Sequence, residues 1–403
     1  MRSFLAFFFA SVLIICGCQG QNEPSVDTVI HYRINDNVKN REESYFMEIQ
    51  NLWENYLNSG AYVRRENQYW DQSSYPYPDM LYVSLLLDIN ELRQNGGQVQ
   101  CSTVGIVPVQ NQYYMLKAVF TESIPGQSEI VDIKYMITVY AKEIDGQYML
   151  YSSTQYQKET IRSRQVGSVN YIVHPLHEFN ALDANRMDSF NIEIAHIFEI
   201  EPLQFDYVVA NDTRDLSDIT GLNLFPYSYQ PVPSGGMADN VNNIIYAGNN
   251  SEYYPHEVVH LYTRAKFPDR SYHSWFDEGT AALIGGSTGY AIEWHWEKLR
   301  RFLSDNSDYK LENLSELQTY IPNGEFITDF RYAIGALICQ RIIDKEGMPS
   351  LFDAFQAGRS DEDYFRILEQ KLGVSRADFG NYIRSEVGSL KPIEEADMNN
   401  YRY

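Results

Sequence analysis

The chain has 403 residues, 44% of them hydrophobic and 14% aromatic, and its 54 Asp and Glu against 32 Lys and Arg give a formal net charge of −22. Such a length and apolar content fit a globular protein of two domains, or of one large domain with an appendage, and exclude a disordered chain. The acidity, with no basic stripe anywhere, speaks against nucleic acid as a partner, because phosphate binding rests on clustered Lys and Arg.

The opening MRSFLAFFFASVLIICGC carries one early cation, Arg2, and then an apolar run from Phe4 to Cys16. A run of that length is too short to span a bilayer as a permanent helix and reads as a cleaved export signal. Its end, Ile15-Cys16-Gly17-Cys18, resembles the bacterial lipobox. The resemblance implies that residues 1–17 are a lipoprotein signal peptide and that Cys18 is lipidated as the new first residue. The lipid would then anchor an exported chain to the membrane of the bacterial cell envelope, as expected of an outer-membrane lipoprotein, with no transmembrane helix. Residues 18–40 are expected as a polar linker after the lipidated cysteine. Cys101 and Cys339 then remain, and their distance in sequence predicts two buried thiols rather than a disulfide framework.

Between Arg41 and Gly60, Phe46, Ile49, Trp53, Tyr56 and Leu57 recur at three- and four-residue spacing before a glycine stop, which predicts an amphipathic helix. After a Tyr/Pro-rich loop around 68–79, residues 98–154 hold β-rich runs, the last two joined across Asp145-Gly146 as a hairpin. A helix followed by a meander gives a small α+β domain over 41–165, loosely similar to the cystatin and nuclear transport factor 2-like cones. Further on, Met187, Phe190, Ile194 and Phe198 line one face of a helix predicted from Leu182 to Phe198, and Gln204–Ala210 and Val241–Ala247 read as strands. Helical period then covers 255–266, 275–285, 288–304, 326–346, 349–357, 360–372 and 375–388. The fold class is thus α+β, with residues 166–403 forming a second domain of a short sheet followed by a mostly helical half.

The chemistry concentrates at His256-Glu257-Val258-Val259-His260, just after Pro255, a residue suited to the first turn of a helix. Residues four apart share a helix face, so both imidazoles can reach one metal ion while Glu257 acts as general base. With eight histidines in the chain, such a motif arises by chance roughly once in a hundred sequences of this composition. A third ligand is available in Glu278, separated from His260 by seventeen residues, within Trp275-Phe276-Asp277-Glu278-Gly279-Thr280-Ala281. Two His and one Glu are a known catalytic zinc set that leaves the fourth place open.

The pair HEVVH and WFDEGTA resembles the gluzincin clan of zinc metallopeptidases, the thermolysin and aminopeptidase N relatives, and the likeness extends over about residues 170–390. It implies one zinc ion per chain held by His256, His260 and Glu278, and Glu257 as the base in hydrolysis of a peptide or protein substrate. It also implies Tyr332, near the start of a helix, as donor to the oxyanion, and an extended substrate along an edge strand, for which Val241–Ala247 is the candidate. Asp277 either orients a zinc-bound histidine or favours a helix N-terminus with Ser274 as cap, and the cap is preferred here. His273 could line the cleft or contact substrate, although a loop histidine is more often a surface residue. His174, His177 and His295 read as structural.

Aminopeptidase N relatives carry a G-A-M-E-N segment whose glutamate binds the substrate amine. The nearest segment here, Gly235-Gly236-Met237-Ala238-Asp239-Asn240, does not clearly supply that glutamate, which favours an endopeptidase. One competing reading is a catalytically silent surface binding lipoprotein that keeps the peptidase scaffold, against which the intact Glu257 argues; the other is a metal-dependent hydrolase of some other bond, since the trio alone does not name the electrophile.

Overall fold

The structure, a computed structural model, describes residues 30–64, 67–94, 98–123, 131–224, 235–311, 313–317, 319–321 and 328–402. Cys18 and the signal segment lie outside them. The fold is mixed α/β, with two sheets followed by a helical C-terminal region. Among the described residues no helix is long and apolar enough to cross a membrane.

The first sheet opens with β1 (His31–Ile34), which pairs in parallel with β2 (Gln98–Pro108). β3 (Tyr113–Ser123), β4 (Val131–Ile144) and β5 (Gln147–Tyr151) continue as an antiparallel meander. Asp145 and Gly146 both take positive φ between β4 and β5, the geometry of a tight hairpin turn, as their sequence predicts. Helices α1 (Ser44–Ser59), α2 (Ala61–Arg64) and α3 (Met80–Gln94) accompany this sheet, and α1 and α3 bury one face of it around Trp53, Tyr56, Leu86, Leu116 and Val139. The periodic residues of α1 form its buried stripe, and Gly60 ends it in the left-handed region. α3 escapes sequence reading because residues 80–86 are apolar or buried on every side, which erases the polar half of the helical period. After α4 (Ser153–Thr160) the chain leaves the first sheet.

The second sheet has the order β10-β11-β8-β7-β6, from β6 (Ser163–Val166), β7 (Val169–Val173), β8 (Phe205–Val209), β10 (Gly235–Asp239) and β11 (Ile244–Gly248). β7, β8 and β11 are mutually parallel, and β6 and β10 close the two edges antiparallel. One face packs on α5 (Ala181–Phe198) and α7 (Pro255–Lys266), the other on α6 (Thr213–Thr220) and on Tyr75 and Leu81 of the N-terminal half. The strand predicted as the edge is therefore internal. Val241–Asn243 form the turn before β11, every residue of β11 is buried, and the edge belongs to β10, the Gly235–Asp239 segment. A short apolar run such as IIYAG marks a strand covered on both faces, whereas the glycines of β10 weaken its signal.

The two halves interlock. β9 (Leu222–Leu224), reached only after β8 and α6, returns to pair with β4. Asp206 of β8 accepts hydrogen bonds from Tyr75 (2.6 Å), Lys158 (2.7 Å) and Asn170 (2.5 Å). The helical region holds α8 (Ser274–Gly285), α9 (Ile292–Asp305), α10 (Phe330–Glu346), α11 (Met348–Ala354), α12 (Asp361–Leu372) and α13 (Phe379–Ser389), around a core that includes Trp275, Phe302, Leu337, Tyr364 and Ile383. Cys101 and Cys339 lie in different cores as unpaired thiols, and burial pushes both up to about 12.

Candidate metal centre

Pro255 starts α7, so His256 and Glu257 fall in its first turn and His260 one turn later. Residues 255–263 are all buried, because α7 is covered by the second sheet on one side and α8 on the other. Three glycines allow α8 to come close enough. A Cβ on Gly285 would stand 2.6 Å from the His256 nitrogen, and one on Gly279 would stand 2.4 Å from the Gly335 carbonyl carbon of α10. Glu278, next to Gly279 in the same helix, is thereby delivered to α7.

His256 Nε2 lies 3.3 Å from His260 Nε2 and 3.4 Å from Glu278 Oε2, and His260 Nε2 lies 3.6 Å from the same oxygen. All three side chains are buried. His256 Nδ1 faces the Gly286 carbonyl at 2.7 Å, and His260 Nδ1 faces Asp277 Oδ1 at 3.1 Å. Both of these oxygens can only accept in those contacts, so each Nδ1 carries a proton and Nε2 is the ring nitrogen turned towards the other two side chains, the atom that a ligating imidazole presents to an ion. Glu278 Oε2 has no hydrogen-bond partner among the described residues. Three donor atoms thus converge in a buried site, where a cation can take the place of the proton that Asp277 and Glu278 favour on His260. Zinc bonds of the usual length in a tetrahedral arrangement put neighbouring donors roughly 3.3–3.6 Å apart, which the three separations match. The residues fit the ion.

The charges around the trio are set by burial against their neighbours. Burial raises the Glu257 carboxyl, opposed by His256 and His260. Burial also acts to raise Glu278, but Arg331 and the two histidines outweigh it and hold the carboxyl well below its usual range. For His260, burial favours the neutral ring, yet the charge and hydrogen bond of Asp277 and those of Glu278 win and raise it well above the ordinary value.

Asp277 is therefore the acceptor for His260. The preference for a Ser274-capped helix start is corrected: His273 is the N-cap of α8, its Nδ1 accepting from the Trp275 N–H at 3.3 Å. The other ring nitrogen of His273 lies 3.2 Å from Asp361, and its ring packs on Tyr364. Both nitrogens are engaged, so the structure does not bring His273 to the trio, and burial lowers its proton affinity. Tyr332 is half-buried in the first turn of α10, its ring centroid 5.3 Å from that of His256. Burial, then Glu278, raise its hydroxyl well above the usual phenol value, which leaves it a neutral donor.

The other buried histidines serve packing. His177 bridges Glu252 (2.9 Å) and Asn211 (3.1 Å), and His174 lies 3.7 Å from Asp215. His295 is fully buried between the Ser287 carbonyl and Thr328, just beyond the Gly286 carbonyl that holds His256. Sequence reading misses Arg331, buried 3.6 Å from Glu278 Oε1. Its only signal is a cation at the start of a helix whose first turns are otherwise apolar.

The fold and the site together define a mixed α/β protein with a buried His/His/Glu cluster on adjacent helices. No family model matches the chain, and no curated protein matches it. One solved structure that matches is a crystal structure of an M1 zinc metallopeptidase from Deinococcus radiodurans, at 13% identity and a TM-score of 0.31, over 74% of this chain and 66% of that one. The chain spans just under two thirds of that structure's length, and a likeness of this size carries no functional conclusion.

Proposed function

We propose that the chain is a zinc-dependent metallopeptidase, with a gluzincin-like peptidase domain over 166–403 behind an α+β domain over 41–165. The observation that supports it is the convergence of three buried donor atoms at tetrahedral-edge distances beside a buried carboxyl. His256, His260 and Glu278 would hold one zinc ion, which when bound polarises the scissile carbonyl and acidifies the attacking water. Glu257, raised by burial, takes the proton of that water and passes it to the leaving amine as the carbon–nitrogen bond breaks. Tyr332 donates a hydrogen bond to the oxygen that gathers negative charge, a contribution of about 3 kcal/mol to lowering the barrier. The Gly286 carbonyl and Asp277 keep the two imidazoles in the tautomer that presents Nε2.

The peptide lies extended along β10, the edge strand of the second sheet that pairs with β11, bound through its backbone. Asp239 supports an endopeptidase over an aminopeptidase. Its Oδ1 accepts from the backbone of Val241 (3.1 Å) and Asn242 (3.2 Å), and its Oδ2 from the Asn242 side chain (2.6 Å). Those bonds engage both carboxylate oxygens in building the β10–β11 turn, so Asp239 is not a free carboxylate aimed at a substrate amine. An exported lipoprotein anchored through Cys18 in the cell envelope completes the reading.

Elemental analysis of the purified protein and of His260→Ala, with cleavage of casein and quenched peptides by both, tests it. About one zinc per chain, lost with cleavage in the variant, is the expected result. A folded, metal-replete wild type without zinc would sink the proposal in favour of a surface binding protein.

A further inference from the structure

Arg331 is 5% exposed, yet its Nε has no hydrogen-bond partner among the described residues. A buried guanidinium donor left bare is costly, and the hydrogen bond that the group shares with Tyr332 does not remove that cost. The nearest carboxylate oxygen to its charge is Glu278 Oε1, 3.6 Å from Nη2. Asp329, two residues earlier, spends Oδ1 on the Arg331 backbone N–H at 2.6 Å as the cap of α10. The guanidinium carbon also sits 5.4 Å from the ring centroid of Tyr332.

Glu278 consequently faces two ways. Oε2 points at His256 and His260, and Oε1 points at Arg331. A carboxylate free to turn about its last bond could offer both oxygens to one cation. That would take up a coordination place that a hydrolytic zinc site keeps open for water and substrate.

We infer that Arg331 is a positioning residue of the metal centre: by holding Oε1 of Glu278 it leaves Oε2 as the only oxygen for the ion and keeps a place free. The inference rests on the metal-binding reading of the trio. It assigns to α10 a second task beside presenting Tyr332, since one turn of this helix then sets both the third ligand and the candidate oxyanion donor.

The test uses the full-length protein in detergent, as wild type, Arg331→Met, Arg331→Gln and Arg331→Lys. Zinc affinity is measured by chelator competition, coordination by the visible spectrum of the cobalt(II)-substituted protein, and folding by melting of the metal-free form. The neutral variants are expected to bind zinc 10- to 100-fold more weakly. Their cobalt bands should weaken as the coordination number rises, and Arg331→Lys should recover part of both. Should Arg331→Met fail to fold, Arg331→Gln carries the same comparison. A cobalt spectrum and zinc affinity equal to wild type in a folded neutral variant overturns the inference alone. Absence of metal binding by the wild type overturns the metal reading as well.

Discussion

Gly279 of α8 and Gly335 of α10 meet backbone to backbone, so closely that a Cβ on Gly279 would stand 2.4 Å from the Gly335 carbonyl carbon and one on Gly335 would stand 2.7 Å from the Trp275 carbonyl oxygen. Neither atom is the end of a flexible side chain, so a methyl group at either place forces the helices apart. Gly335→Ala is expected to cost about 1–3 kcal/mol of stability, as overpacking of a tight core does. Because Glu278 precedes Gly279, the same displacement should weaken zinc binding. Thermal melting with and without metal checks both, and a variant that melts like wild type would show that the helices part without strain.

Asp277 tests how much of the metal affinity resides outside the three ligands. Its removal leaves His260 Nδ1 without its acceptor and the ring free to turn or change tautomer. Asp277→Ala is expected to lower zinc affinity 10- to 100-fold while the metal-free protein melts within a few degrees of wild type. Asp277→Asn, which keeps an acceptor oxygen, should lose less. Equal affinities across wild type, Asn and Ala would remove the orienting role.

His295 gives the fold an acid-sensitive point beside the centre. Burial, not fully offset by the Ser287 carbonyl, lowers it to about 4 from an ordinary 6.5. The folded state therefore binds fewer protons than the unfolded state between these values, and stability falls as pH drops from 6.5 towards 4. The loss approaches about 3 kcal/mol once both values are passed. His295→Gln should flatten that limb of the melting-temperature profile, although it is expected to melt lower at neutral pH. A profile with the wild-type slope would assign the acid loss to another group.

Parts of this molecule are legible in the order of its residues alone. The HEVVH spacing puts two imidazoles on one helix face through the 3.6-residue period, and Pro255 marks where that helix begins, as it does in α7. Asp145-Gly146 specifies its hairpin, and the predicted 255–266 and 360–372 differ from α7 and α12 by no more than one residue at either end. These features depend on contacts between residues near in sequence, which a periodic pattern records. α3 goes unread because burial on all sides leaves no period to follow.

What only the tertiary structure decided is which strand is the edge, which carboxylate serves His260, and what holds the far oxygen of Glu278. Composition makes Ile244–Gly248 look like an available strand, but edge or centre is settled by the neighbours a strand acquires, and β10 took the edge. Asp277 and His273 could each have been cap or cleft residue; His273 capped α8 and Asp277 turned to His260 because α8 crosses α7 at the distance Gly285 permits. Arg331 is more than fifty residues from Glu278, and no local rule connects them. The sequence by itself determines the donors and the helix that carries two of them; the close packing of α7, α8 and α10 determines their partners, because a side chain's direction becomes fixed only when a neighbouring element closes off the alternatives.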